Sequence, residues 1–185
     1  MTGAYTVSTP LSPGTKLAGT TTTTMPIDDP PIDDADLNAD ETEYRSMIGS
    51  LMYLMLGTRP DIVFAVGARS RYHNSPRDSP MNAAKYLLRY VKKTAHLGLR
   101  LGSFTGGKDL YPVLYSNADW AGDVDTCKST GGYVCVLSKE RSPGEGSKWS
   151  AVLWSNKRQQ TVALSSTEAE YMALTQAAKE AIWVS

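Results

Sequence analysis

The sequence is poor in cysteine and histidine. Cys127 and Cys135 are its two cysteines, and His73 and His96 are its two histidines. Two thiols do not make a disulfide framework, and no second cysteine pair completes a zinc site. We therefore expect both thiols to be reduced and the protein to be intracellular, in the cytoplasm or the nucleus.

Long apolar runs are also missing. None approaches the roughly 20 residues that a membrane-spanning helix needs, and no basic-then-apolar leader follows Met1. The sequence therefore predicts no signal peptide and no membrane partner.

Positive charge is absent from one stretch, although the net charge of the chain is +0. No Lys or Arg lies between Lys16 and Arg45, an interval that holds eight acidic residues. From Arg45 to Arg100, ten basic residues stand against two acidic ones. This asymmetry is typical of nucleic-acid contact, and equally of a solvated helical face that follows an acidic linker.

Composition and periodicity predict three regions. Residues 1–42 are rich in Pro, Thr and acids without apolar periodicity, which predicts a disordered linker. Residues 43–102 hold three helical patterns, at 44–56, at 60–74 and from an N-cap at Ser79 to about Thr94. Residues 108–185 form the third region. It combines strands at 110–117, 130–138 and 149–158 with a long helix that a capping box at 165–168 opens. The fold class is therefore α+β, with a helical N-terminal segment followed by a three-stranded antiparallel meander and a long helix.

Two acidic clusters carry the candidate chemistry. Asn117 and Asp119 close the first strand and share a face if the strand persists, while Glu170 lies near the start of the last helix. Hard oxygen ligands in such an arrangement suit Mg²⁺ or Mn²⁺, and a pair of these ions supports phosphodiester cleavage. The same pattern also fits acids that only cap backbone amides in turns or favour a helix N-terminus.

Six blocks of sequence stand out in the second and third regions. They are 44–54, 58–62, 118–123, 128–133, 154–157 and 161–171. These blocks resemble copia-type retrotransposon polyproteins, in the segment that joins reverse transcriptase to ribonuclease H. They follow the family's order and span roughly residues 44 to 185. The resemblance implies a connection-like helical segment over 43–102 and a truncated ribonuclease H-like domain over 108–185. It also implies cleavage of RNA in RNA–DNA hybrids with two Mg²⁺ or Mn²⁺ ions.

The catalytic set that the resemblance implies is incomplete. The family's first-strand metal ligand is an Asp where this chain has Asn117, and its helix acid matches Glu170. The family's remaining acids come from elements that follow Ser185 in the family's order. Asp119 is the candidate to replace Asn117, so Glu170 and Asp119 are the expected metal ligands. We expect weak or no nuclease activity from the lone chain, unless a second chain completes the site.

Two groups of basic and polar residues are the candidate nucleic-acid contacts, for an RNA–DNA hybrid or another nucleic acid. One follows the third strand and the other lies on the third predicted helix. They are Lys157, Arg158, Gln159, Arg89, Lys92 and Lys93. The alternative function is a non-catalytic binding protein derived from a retroelement. A sheet of three strands leaves an open edge, so we also expect a homodimer or a protein partner that covers it.

Overall fold

The computed structural model describes residues 6–11, 41–71, 78–102, 110–144 and 147–184, the side chains of 78–80 excepted. Most of the predicted linker over 1–42 therefore lies outside the described residues. The chain divides into two compact units, Met1–Gly98 and Leu99–Ser185. None of the described helices is long and apolar enough to span a lipid bilayer.

The first unit is helical. Helix α1 spans Glu41–Gly57, a 3₁₀ turn at Pro60–Ile62 leads into α2 at Val63–Ser70, and α3 spans Asp78–Lys93. The second helix ends before the predicted Asn74. The third begins one residue before Ser79, so that serine lies in the first turn and is not the N-cap. Pro80 is tolerated there because first-turn N–H groups have no intrahelical acceptor.

The core of the helical unit joins all three helices. Buried side chains come from α1, from the 3₁₀ turn with α2, and from α3: Tyr44, Ile48, Leu51, Ile62, Ala65, Val66, Met81, Ala84, Leu87 and Tyr90. Val7 and Leu11, from the short described segment 6–11, pack against this cluster. The helices therefore have one shared apolar centre.

A polar cluster ties the start of α2 to the end of α3. Arg59 donates two hydrogen bonds to the Asp61 carboxylate, at 2.9 and 2.8 Å, and one from Nη2 to Thr94 Oγ1 at 2.7 Å. Tyr90 donates its hydroxyl proton to Asp61 Oδ2 at 2.8 Å. Burial alone would raise the pKa of Asp61, but the bonds from Arg59 and Tyr90 outweigh it and hold that pKa below its usual value.

The second unit is the predicted meander with its helix. Strands β1 (Tyr111–Ala118), β2 (Thr130–Ser138) and β3 (Trp149–Arg158) pair antiparallel in the order β1-β2-β3, with an irregularity between Cys135 and Val136. Helix α4 spans Ser166–Val184. The α+β class with a helical N-terminal segment is thus confirmed. Strand β1 is displaced by one residue from the prediction, and β2 and β3 have the predicted bounds.

Helix α4 packs closely on the sheet through small residues. Ala169, Ala173 and Ala177, four residues apart, are its buried side chains. A Cβ on Gly131 of β2 would lie 3.3 Å from the Cβ of Ala173. The helix therefore approaches the strand at a distance that only glycine permits there without displacement.

The predicted capping box opens α4. The amide of Glu168 donates to Ser165 Oγ at 3.1 Å. The Glu168 carboxylate accepts from the amide of Leu164 at 2.7 Å, whereas a capping box predicts the amide of Ser165 as the donor. This cap fixes where the first turn of α4 begins, and with it the position of Glu170.

Candidate functional site

Glu170 reaches the end of β1, as its place in the first turns of α4 predicted. Its Oε2 accepts a hydrogen bond from the backbone amide of Ala118 at 3.1 Å. Ala118 is the last residue of β1, which pairs with β2 alone in the described sheet. The carboxylate therefore satisfies a backbone donor at an open strand edge, across 52 residues of sequence.

Asp119 is turned towards β2. Its amide donates to the carbonyl of Thr130 at 3.1 Å, and its carboxylate accepts from the amide of Thr130 in a short hydrogen bond. A Cβ on Gly122 would collide with Oδ2 of this carboxylate. The glycine leaves the space that Asp119 fills, so the acid closes the turn after β1.

Asn117 does not join Asp119 and Glu170 in one cluster. Strand β1 ends at Ala118, so the alternation that was to align Asn117 with Asp119 stops between them. Asn117 is exposed and pairs with Gly132, whereas Ala118 pairs with Gly131 on the face that α4 covers. Alternation along the strand puts the Asn117 side chain on the opposite face.

The loop after β1 is held by a third acid. Asp123 is 6% exposed, and its Oδ1 accepts from the amides of Asp125 and Thr126 at 3.2 and 3.1 Å. Its Oδ2 pairs with Arg158 Nη1 at 2.7 Å. Ala121 and Cys127 take the left-handed backbone conformation within this loop. For Asp119 and Asp123 the geometry is that of capping residues, the alternative that the sequence left open.

The residues present do not fit a two-metal centre. Glu170 and Asp119 each accept a backbone hydrogen bond, and Asn117 carries no charge. In the part of the chain that the structure describes, no group of three or more His, Cys, Asp or Glu side chains is placed to hold a metal ion. A pair of divalent ions needs several carboxylate oxygens that converge on one point.

The basic residues of the helical unit separate into buried and exposed groups. Arg89, predicted as a nucleic-acid contact, is buried at 9% exposure, because Tyr86 and Tyr90 also pack inward and widen the buried face of α3. Lys92 and Lys93 are exposed, and Lys93 donates to Ser8 Oγ at 3.1 Å. Arg89 is therefore no exposed phosphate contact in this unit.

The three polar residues at the end of β3 have different surroundings. Lys157 pairs with Gly131 and so lies on the face that α4 covers, whereas Arg158 lies on the other face and binds Asp123. Gln159 continues the ladder by donating its amide to the carbonyl of Ser129 at 2.8 Å. Its side-chain Nε2 donates to the carbonyl of Ala169 at 2.8 Å, which locks the loop onto α4.

A groove of about 500 Å³ opens between the end of β3 and α4. Lys157 and Gln159 line one wall, and Thr175, Gln176 and Lys179 of α4 line the other. None of its lining residues is Asp or Glu. The α4 residues were missed from the sequence, although polar side chains at 175, 176 and 179 share one helical face, because nothing local indicates which strand that face meets.

Comparisons with known proteins place the chain among retroelement sequences. It is 42% identical over 149 residues to the retrovirus-related Pol polyprotein from transposon TNT 1-94 of Nicotiana tabacum, covering 80% of this chain and 10% of the polyprotein. It is 37% identical over 184 residues to that from transposon RE2 of Arabidopsis thaliana, covering 100% of this chain and 11% of the polyprotein. The chain thus spans about a tenth of the length of these two relatives.

A relative of similar size also matches. The chain is 44% identical over 141 residues to the secreted RxLR effector protein 161 of Plasmopara viticola, covering 76% of this chain and 90% of that protein. No protein-family model and no solved structure matches. The matches at 36% to 42% identity extend over most or all of the residues that carry the motifs. The chain therefore belongs to the family of retrovirus-related Pol polyproteins from copia-type transposons.

Proposed function

We propose that this retroelement-derived chain is a ribonuclease H-like segment that binds RNA–DNA hybrid but cleaves it weakly or not at all on its own. The observation that carries the proposal is the state of the acids beside β1. Glu170 and Asp119 both accept hydrogen bonds from backbone amides, and Asn117, the next-to-last residue of β1, is neutral. Hydrolysis by a pair of divalent ions requires negative oxygens that are free to bind them.

Nucleic-acid binding does not require the catalytic acids, because binding and hydrolysis depend on different residues. Phosphate contacts need exposed cations, and Lys157, Lys92 and Lys93 are exposed. Each unit of the chain therefore offers positive charge to a nucleic acid, without any need for the acids at the end of β1. The hybrid is the partner that the family resemblance implies.

The experiment is a cleavage and binding assay on the whole chain. A labelled RNA–DNA hybrid is incubated with Mg²⁺ and, separately, with Mn²⁺, with an active ribonuclease H as positive control. We expect salt-dependent binding without turnover above background. Robust cleavage that Glu170→Ala abolishes would overturn the proposal of inactivity.

A second candidate is a non-catalytic binding protein whose partner is another protein. The similarity to the Plasmopara viticola protein favours it, because this segment makes up 90% of a protein that is named as a secreted effector. Partner binding that does not weaken as salt is raised would favour this candidate over hybrid binding.

We also propose that a second copy of this chain covers apolar surface left open in the sheet unit. Tyr171, Leu174 and Ile182 of α4 are 66%, 52% and 78% exposed, and they share one side of the helix. Sedimentation velocity at several concentrations tests the proposal. A dimer is expected, and a monomer at all concentrations contradicts it.

A further inference from the structure

We propose that the groove between β3 and α4 binds a phosphorylated ribose, either as one residue of an RNA strand or as a free ribonucleotide. The inference rests on the proposed function, because it takes nucleic acid as the partner. It adds a site whose lining residues include neither Asp119 nor Glu170. Its volume of about 500 Å³ is within the range of small-ligand sites.

The charge of the groove selects an anion. Lys157 at the end of β3 and Lys179 of α4 both line the groove, one on each wall. No carboxylate lines the groove to neutralise them. The nearby acid is Glu180, which interacts with Tyr133, a residue that lines the groove. The pKa of the Tyr133 phenol is raised, mainly by burial and next by the negative charge of Glu180. A phosphate between the two lysines is the matching charge.

Gln159 adds a requirement for a hydrogen-bond donor. Because the carbonyl of Ala169 can only accept, Nε2 of Gln159 must face it, and this leaves Oε1 as an acceptor. Within the described residues that oxygen is buried and has no hydrogen-bond partner. An unpaired buried acceptor is unfavourable, and a ligand hydroxyl that reached it between the lining side chains would relieve this cost.

A ribose next to a phosphate supplies both features. Its phosphate meets Lys157 and Lys179, and its 2′-hydroxyl is a donor that DNA lacks. Hydroxyl and amide groups of Thr175 and Gln176 complete the α4 wall, while Gly131 keeps the floor open next to Ala173. The groove therefore prefers RNA to DNA through one hydroxyl.

The test measures fluorescence anisotropy with a labelled 12-nucleotide single-stranded RNA. DNA and 2′-O-methyl RNA of the same sequence, a ribonucleoside monophosphate and inorganic phosphate serve as competitors. We expect the RNA to bind about tenfold more tightly than its DNA and 2′-O-methyl counterparts, because each of these lacks the donor. RNA bound more tightly than the mononucleotide assigns the site to a strand, and the reverse order assigns it to a free nucleotide.

Matched lysine variants locate the binding. Lys157→Ala and Lys179→Ala should each weaken RNA binding about fivefold at low salt and reduce the salt slope by about 0.7. Lys148→Ala removes the same charge just before the opposite end of β3, outside the groove, and should change affinity less than twofold.

The outcomes separate this inference from the proposed function. Equal affinity for RNA and 2′-O-methyl RNA, or equal losses in the Lys148 and Lys157 variants, overturns the groove as a ribose phosphate site. Inorganic phosphate that competes as well as the mononucleotide also overturns it. Failure to bind any nucleic acid, the RNA–DNA hybrid included, overturns the proposed function itself.

Discussion

Replacing Glu170 separates a structural acid from a metal ligand. In the described structure the Glu170 carboxylate satisfies the amide of Ala118 at 3.1 Å. Glu170→Ala leaves that partly buried donor without its charged acceptor, which costs about 1.5–3 kcal/mol. The loss of a negative charge near the start of α4 adds about 0.3–1 kcal/mol, and the better helix propensity of Ala offsets a few tenths. We expect a net destabilisation of about 2 kcal/mol.

Tryptophan fluorescence reports this change selectively. The four tryptophans are Trp120, Trp149, Trp154 and Trp183, and all lie in the unit that begins at Leu99. Urea unfolding followed by their emission therefore measures the stability of the sheet unit. For a domain of this size, 2 kcal/mol corresponds to a fall in Tm of about 8 °C or more.

The control is Glu168→Ala on the same helix. Glu168 is exposed, and its carboxylate accepts from the amide of Leu164 at 2.7 Å. The loss of this cap should cost about 0.5–1 kcal/mol, less than the loss of Glu170. If Glu170 served only to bind a metal, it would not stabilise the metal-free fold, and its removal would leave the stability unchanged or raise it. Glu170→Ala that is as stable as the wild type, or more stable, would refute the structural role.

Two further substitutions test other parts of the account. Asp123→Ala removes the acceptor of two backbone amides and the ion pair with Arg158, so we expect a destabilisation of about 3 kcal/mol. Urea unfolding followed by tryptophan emission measures it. Asp123→Asn keeps an acceptor and should be destabilised less, and equal losses in the two variants would contradict the capping role. In the helical unit, the pKa of Asp61 is lower in the folded chain than its ordinary value. The ionised carboxylate therefore contributes its full stabilisation above about pH 4. This stabilisation is lost as the pH falls through the lower pKa of the folded state. Over this pH range we expect the free energy of unfolding of the wild type to fall by about 1 kcal/mol more than that of Asp61→Asn. The difference is small because the Asp61 side chain is 35% exposed and solvent screens its ion pair. Urea unfolding at several pH values, followed by far-UV circular dichroism, measures it, and parallel curves for the two proteins would contradict the contribution of Asp61.

Local signals in the sequence predicted the elements well. The bounds of β2 and β3 followed from alternation between turn-rich segments, and the Ser165 cap followed from the spacing to Glu168. The end of α2 and the start of α3 were less accurate. For α3 the reason is that a serine directly before a proline favours an N-cap, although here this serine lies in the first turn. Propensity sets such boundaries only to within a few residues.

Contacts between distant residues limited the prediction of the site. The hydrogen bond from the amide of Ala118 to the Glu170 carboxylate joins residues 52 apart in the sequence, and no local pattern indicates that these two groups would meet. Asp119 was assigned to a face of β1, but one residue beyond the strand its carboxylate turns to Thr130. The groove combines β3 with one face of α4, and Arg89 is buried by tyrosines of its own helix. Each of these depends on packing, which periodicity does not specify.

The measurement that tests the central claim most directly is a Mn²⁺ titration of the whole chain. Trp120 is a suitable probe because it directly follows Asp119 and is held by a hydrogen bond from its indole Nε1 to the carbonyl of Ala163 at 3.2 Å. If Glu170 and Asp119 serve the backbone, the emission of Trp120 should show no saturable change that Glu170→Ala removes. Saturable binding of two ions per chain, abolished by Glu170→Ala, would contradict the account.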